Sequence, residues 1–150
     1  MSNEIPKRAT IQQKFEDVGE YAENQISRWP KAYKFSRGTR MIDMMDEIAV
    51  LLEMAQRKYR VVTSLHEADA RLAALFRLLR RSNRTKYTVT RRADGKVTRD
   101  ESGNTITEVK RLVDDHTYGV WSAMLIEIGK MLGGWIKSND ASHPRSSGKE

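Results

Sequence analysis

Apolar side chains recur every three or four residues in four separate stretches of this sequence, and this spacing restricts the possible fold more than any other feature. Side chains at that spacing share one face of an α-helix, and such a face must be buried. The connections after the first two stretches are short, so consecutive helices are expected to run antiparallel. The predicted fold is all-α, an up-and-down antiparallel four-helix bundle. Its helices run from about Thr10 to Arg28, Ser36 to Tyr59, Ser64 to Ser82 and Thr117 to Lys137.

Local signals mark the ends of the predicted helices. Thr10 with Gln13, and Ser64 with Glu67, have the spacing of a capping box at a helix start. Pro30 ends the first helix, because the residue before a proline is pushed out of helical geometry. Residues 139–150 are rich in serine and charge, which is typical of disorder. Residues 1–138 are therefore predicted to form a single domain, and residues 139–150 a disordered tail.

Residues 83–115 break the helical pattern. Two short stretches rich in threonine and valine, 86–91 and 96–99, flank Asp94-Gly95, and this dipeptide is the strongest short-range signal for a hairpin. Ser102-Gly103-Asn104 predicts a second turn. We expect a β-hairpin-like insertion of two or three strands between the third and fourth helices.

Glycines interrupt the apolar stripe of the last helix. Each glycine costs about 1 kcal/mol relative to alanine inside a helix. A helix that tolerates this cost usually gains close approach of another backbone. A packing surface is therefore predicted on this helix, either inside the subunit or between subunits, formed by Gly129, Gly133, Gly134 and Trp135.

Positive charge is concentrated in one part of the chain. The net charge is +7, and between Arg77 and Arg99 the only acidic residue is Asp94. Such a balance favours a polyanionic partner, of which nucleic acid is the commonest. Tyr33 and Tyr87 are candidates for stacking on exposed bases. The alternative is a solvated face that keeps the protein soluble. The predicted nucleic-acid-binding residues are Lys31, Arg37, Arg77, Arg80, Arg81, Arg84, Lys86, Arg91, Arg92 and Lys130.

The sequence offers little for catalysis. It has no cysteine, no glycine-rich phosphate loop and no H-E-x-x-H zinc motif. Asp114-Asp115-His116 either starts the last helix with acidic caps or binds a metal, and capping explains the same residues more simply. We expect no catalytic residue, no metal and no cofactor. No apolar run approaches the ~18 residues of a membrane span, and residues 1–8 are polar, so we expect a cytoplasmic protein without membrane contact.

Three stretches together carry a family resemblance: residues 125–136 of the last helix, residues 68–75 of the third, and the Trp29-Pro30-Lys31 turn leading into Arg37. In their order and spacing the chain resembles the accessory variability determinant proteins of diversity-generating retroelements. These belong to a broader group of bacterial four-helix-bundle proteins that includes those encoded in ribosomal-RNA intervening sequences.

This resemblance implies a homopentameric ring of helical bundles with a positively charged surface. It implies a non-enzymatic protein that binds the element's reverse transcriptase and its template RNA, or an RNA–DNA hybrid, and so enables mutagenic cDNA synthesis. Basic positions that match the family pattern are Lys31, Arg37, Arg80 and Lys130. The insertion at 83–115 replaces a connection that is usually short, so the assignment of its basic residues rests on charge alone.

Two other functions stay open at the level of sequence. One is a structural oligomer in which the assembly is the function and the charge has no nucleic-acid role. The other is a small enzyme that holds a metal at Asp114, Asp115 and His116.

Overall fold

Four long helices run antiparallel, as the apolar spacing predicts. The structure, a computed structural model, describes residues 7–142. Helix α1 spans Lys7–Ile26 and α4 spans Val61–Arg84, while α5 spans Asp115–Ser142. The second long helix is composite: α2 (Lys31–Tyr33) continues through a π-helical turn (Lys34–Gly38) into α3 (Thr39–Gln56). Helix α3 packs on α1 and α4, and α5 packs on the same two helices. Each helix therefore has two neighbours, which is the arrangement of a four-helix bundle.

The predicted apolar stripes form the core. Each stripe is buried on the inner face of its helix, and the four faces meet in one cluster. Sequence periodicity identifies these residues because a helix can bury only one side against its neighbours. The buried stripes include Ile11, Phe15, Val18, Ala22 and Ile26 of α1; Met41, Met45, Ile48, Leu52 and Ala55 of α3; Leu65, Ala68, Leu72, Leu75 and Leu79 of α4; and Trp121, Leu125, Ile128, Leu132 and Trp135 of α5.

The helix ends differ from the prediction. Helix α1 begins at Lys7, so Thr10 lies inside the helix and does not begin a capping box. Helix α4 begins at Val61, after Arg60 in the left-handed conformation with φ of 47°. Ser64 is therefore buried in the first turn of α4, where its hydroxyl donates to the Tyr59 carbonyl at 3.3 Å. Both predicted capping boxes are wrong because each helix starts about one turn earlier.

The last helix also ends later than the sequence predicts. Helix α5 continues through Asn139, which is buried, to Ser142. Residues 139–142 are therefore helical and do not belong to the predicted disordered tail. Residues 143–150 of that tail lie outside the described residues.

The segment between α4 and α5 forms two antiparallel strand pairs, which we call the ribbon (residues 86–111). Strand β1 (Lys86–Thr90) pairs with β4 (Thr107–Arg111), and Lys86 lies opposite Arg111. Strands β2 (Arg92–Ala93) and β3 (Lys96–Val97) flank the turn at Asp94-Gly95, whose φ angles are 52° and 76°. The Asp-Gly turn thus joins only two-residue strands. The longer strand β1 pairs with a strand much later in the chain.

The π-helical turn changes which side chains face the core. If the 3.6-residue spacing of α3 continued backwards from Met41, Lys34 would point inward. A π-helical turn contains one extra residue, which rotates the preceding side chains by about 100° relative to α3. As a result Tyr33 packs against the core, and Phe35 points to solvent with 69% of its surface exposed. Gly38 ends the turn close to α1, where a β-carbon would lie 2.6 Å from Ile26 Cγ2.

Candidate nucleic-acid interface

Three parts of the chain meet at one end of the bundle, which we call the ribbon end: the α1–α2 connection with α2 and the π-helical turn, the last turns of α4, and the base of the ribbon. Arg37 donates from Nη1 to Thr85 Oγ1 at 2.7 Å, which joins the π-helical turn to the end of α4. The rings of Tyr33 and Tyr87 lie 6.5 Å apart, which joins the same turn to β1. The Leu112 N–H donates to the Thr85 carbonyl at 2.8 Å and closes the ribbon base.

Four arginines line the outer face of α4 at this end, and we call them the arginine row: Arg77, Arg80, Arg81 and Arg84. Their spacing of three, four and seven residues places them on one side of the helix. All four are exposed, whereas Leu75 and Leu79 of the same turns are fully buried on the opposite side. None of the four forms an ion pair within residues 10–140. The row also lies at the C-terminal end of α4, where the helix dipole favours cations.

Arg37 extends the positive charge from α4 to the π-helical turn. Its guanidinium lies 5.7 Å from the centre of the Tyr33 ring and is partly buried. Burial and the nearby charge of Arg81 lower the pKa of Arg37, and Tyr33 opposes that shift. The two guanidinium groups therefore repel each other across the junction between the two helices.

The basic residues of the ribbon begin beside the arginine row. Lys86 is exposed at the first position of β1, two residues after Arg84. Farther along, Arg91 Nε lies 3.8 Å from Glu108 Oε1, so its charge is partly balanced. Arg92 donates to the Gly95 carbonyl at 3.5 Å, across the turn of the ribbon tip.

Seven of the ten predicted binding residues lie at the ribbon end, Arg91 and Arg92 lie farther along the ribbon, and Lys130 lies elsewhere. Lys31 is exposed in the first turn of α2, next to the α1–α2 connection. Lys130 is exposed on α5, fifteen residues after Asp115. At 1.5 Å per residue, this is about 22 Å along the helix from its start at the ribbon end. The structure therefore places Lys130 away from the other nine.

The charge of the protein resides almost wholly in this region. Residues 77–99 contain nine lysines and arginines and one aspartate, for a net charge of +8. The whole chain carries +7, so the remaining residues together carry −1. Such a concentration of one sign of charge produces a local field that attracts polyanions.

The tyrosines predicted to stack on bases are not free to do so. Tyr33 and Tyr87 are partly buried against each other and against the core. The exposed aromatic ring at this end is that of Phe35, with Lys34 Nζ 5.8 Å from its centre. Sequence reasoning missed Phe35, because nothing in the apolar spacing shows that a π-helical turn precedes α3.

The glycines of α5 are not needed for packing inside the subunit. A β-carbon at Gly133 or Gly134 would meet no heavy atom within 4 Å, and one at Gly129 would lie at an ordinary 3.7 Å from Leu72 Cδ2. Trp135, in contrast, is buried in the core. Gly133 and Gly134 therefore do not pack within the subunit, whereas Trp135 does, and packing between subunits stays a prediction.

The acidic residues at the start of α5 are engaged in local contacts. Asp114 Oδ1 accepts from the Thr117 N–H at 2.7 Å, as a helix-capping aspartate does. This bond, with further contributions from the Thr117 side chain and His116, lowers the pKa of Asp114. Asp115 Oδ1 accepts from Arg111 at 2.8 Å and from Asn83 at 3.1 Å. Within the described part of the chain, no group of three or more His, Asp or Glu side chains is arranged to hold a metal ion.

Two further observations concern the chain as a whole. Over residues 7–142, no helix combines the length and the apolar character that crossing a bilayer requires. Comparison with protein-family models, with curated proteins and with solved structures finds no match for this sequence.

Proposed function

We propose that this protein is a non-enzymatic accessory protein of a diversity-generating retroelement. In this proposal it acts in the cytoplasm as a homopentameric ring that binds the element's reverse transcriptase and its template RNA, or an RNA–DNA hybrid. The observation that carries the proposal is the arginine row, four exposed guanidinium groups without an ion-pair partner among residues 10–140. The retroelement and its reverse transcriptase enter this proposal through the sequence resemblance in the second, third and last long helices.

The geometry of the ribbon end suits a phosphate backbone. Guanidinium groups donate two parallel hydrogen bonds to phosphate oxygens, which lysine cannot do. The mutual repulsion of Arg37 and Arg81 is relieved when an anion lies between them. Contacts of this kind position RNA without reading its sequence, so binding is expected to be weakly sequence-selective. The ring would then hold RNA on its basic surface while the polymerase copies it.

Charge reversal at the arginine row tests this proposal. Replacing Arg80, Arg81 and Arg84 with glutamate is expected to abolish binding of the template RNA in a gel-shift assay. These side chains are exposed, so the helical circular-dichroism signal is expected to stay unchanged.

A matched control changes the net charge equally at the opposite end of the bundle. The variant with glutamate at Arg57, Lys58 and Lys137 is expected to bind RNA within a fewfold of the wild-type protein. Equal loss in both variants would mean that only the total charge matters. Unchanged binding in the arginine-row variant would exclude this surface.

A second candidate function is a structural oligomer without a nucleic-acid role. Gly133 and Gly134 are exposed on α5 with open space around them, and 48% of the surface of Ile126 on the same helix is exposed. A helix surface of this composition permits close packing of another helix. A stable oligomer that ignores unrelated RNA even at low salt, shown by light scattering and gel shift, would favour this function.

A further inference from the structure

Phe35 lies in an unusually cationic part of the chain. Between Asn24 and Ile42 the sequence has no acidic residue and five basic ones: Arg28, Lys31, Lys34, Arg37 and Arg40. The Phe35 ring is the most exposed large apolar side chain among the described residues, at 69%. A single exposed apolar side chain is common on proteins, but this one is an aromatic ring in positively charged surroundings.

The backbone holds this ring away from the protein. Phe35 is two positions after Tyr33 along the helix, so the two side chains point to nearly opposite sides. Tyr33 takes the inner position, against Tyr87 and the core, and Phe35 is exposed. The π-helical turn that produces this arrangement is a feature that occurs frequently at functional sites.

We propose that Phe35 is a stacking platform for an unpaired base, and that the ribbon end therefore prefers single-stranded RNA to duplex RNA. This inference rests on the proposed function and identifies the form of nucleic acid that the site takes. An unpaired base presents a face on which an aromatic ring can stack, whereas a duplex hides its base faces.

The charges around the ring support a nucleic acid more than an apolar protein surface. Lys34 lies beside the ring, and Lys31 is one helical turn before Phe35. Cations around an aromatic ring are the combination by which proteins hold single strands without reading sequence, because the cations bind the backbone and the ring holds the base. An apolar protein partner would instead have to strip water from these lysines.

Replacement of Phe35 by alanine tests the inference. The probes are a fluorescently labelled 20-nucleotide RNA of unstructured sequence and the duplex that it forms with its complement, both measured by anisotropy. Removing the ring is expected to weaken single-strand binding about fivefold to a hundredfold. Duplex binding is expected to change by less than about twofold, because phosphate contacts alone hold it. Phe35 is exposed, so the variant keeps the wild-type fold, which circular dichroism verifies.

Two further variants separate stacking from simple apolar contact. Leucine at position 35 keeps an apolar side chain but no ring, and is expected to behave like alanine. Tryptophan is expected to retain binding, and its fluorescence to be quenched by the single strand. The native Trp29, Trp121 and Trp135 are buried, so the new residue reports the change.

The outcomes distinguish this inference from the function on which it rests. If the wild-type protein binds neither probe, the proposed function fails. If it binds both, and Phe35→Ala leaves single-strand binding unchanged or weakens both probes equally, only the stacking inference is overturned. Full binding by Phe35→Leu would also overturn it, because a generic apolar contact, such as one with a protein, would then explain the exposed ring.

Discussion

Alanine in place of both Gly133 and Gly134 is expected to stabilise the isolated subunit. Both residues are exposed in the interior of α5, and a β-carbon at either position meets no heavy atom within 4 Å. Alanine is favoured over glycine in a helix by about 0.5–1 kcal/mol per position, so the pair contributes about 1–2 kcal/mol. For a chain of this size, that corresponds to a rise in Tm of about 2–8 °C.

Urea unfolding followed by circular dichroism measures this effect, at a protein concentration where light scattering gives the mass of one chain. Gly38→Ala provides the contrast, since its β-carbon would lie 2.6 Å from Ile26 Cγ2, and Ile26 is only 2% exposed. Overpacking of this kind costs about 1–3 kcal/mol. A lower unfolding midpoint for the Gly133 and Gly134 double variant under these conditions would refute the conclusion that no contact within the subunit needs these glycines.

The same double variant tests the proposed assembly. If helix packing between subunits uses these glycines, two added methyl groups separate the helices. The molar mass at high protein concentration is then expected to fall below that of the wild-type protein. An unchanged mass would place the subunit interface elsewhere.

Two further predictions concern residues that hold the ribbon end together. Arg37→Met removes the hydrogen bond to Thr85 and is expected to lower the free energy of unfolding by about 1 kcal/mol. Amide exchange in β1 should then be faster than in the wild-type protein. Unchanged exchange would contradict this prediction. Asp114→Ala removes a helix cap and is expected to cost about 1 kcal/mol at pH 7. Because the pKa of Asp114 is lowered on folding from its ordinary 3.8, its contribution is present above that pH and is lost as the pH falls through the folded pKa. Urea midpoints of the two proteins should therefore converge in acid, and a constant difference would contradict this.

The bundle is predictable because, in each long helix, the spacing of the apolar residues shows which face is buried. Leu65, Ala68, Leu72, Leu75 and Leu79 repeat at helical spacing and are all buried on one face of α4. The helix starts were less predictable, because capping is a local signal that the chain need not use. Ser64 has capping-box spacing with Glu67, yet its hydroxyl bonds to Tyr59 from inside the helix.

The strand pairing and the exposed ring depend on longer-range effects. The Asp94-Gly95 turn was visible, but the pairing of β1 with β4 depends on chain segments about twenty residues apart. The orientation of Phe35 depends on one extra residue in the helix before α3, which shifts the phase of every side chain before it. A single sequence shows the apolar spacing on either side of such a shift, but not the shift itself.

The candidate site was predicted in its composition more than in its geometry. The cluster of arginines is visible in the sequence. The contact between the π-helical turn and the end of α4, where Arg37 Nη1 lies 2.7 Å from Thr85 Oγ1, is seen only in the structure. The family resemblance predicts Lys130 as a binding residue, but its place on α5 separates it from the ribbon end.

Salt dependence of RNA binding tests the central claim most directly. Each phosphate neutralised on a single strand contributes about −0.7 to the slope of log affinity against log salt concentration, so the four guanidinium groups of the arginine row predict a slope near −3. Affinity for a single-stranded RNA should therefore fall about fiftyfold between 50 and 200 mM salt. An affinity that stays constant over this range, or no binding at the lowest salt, would contradict electrostatic capture by the ribbon end.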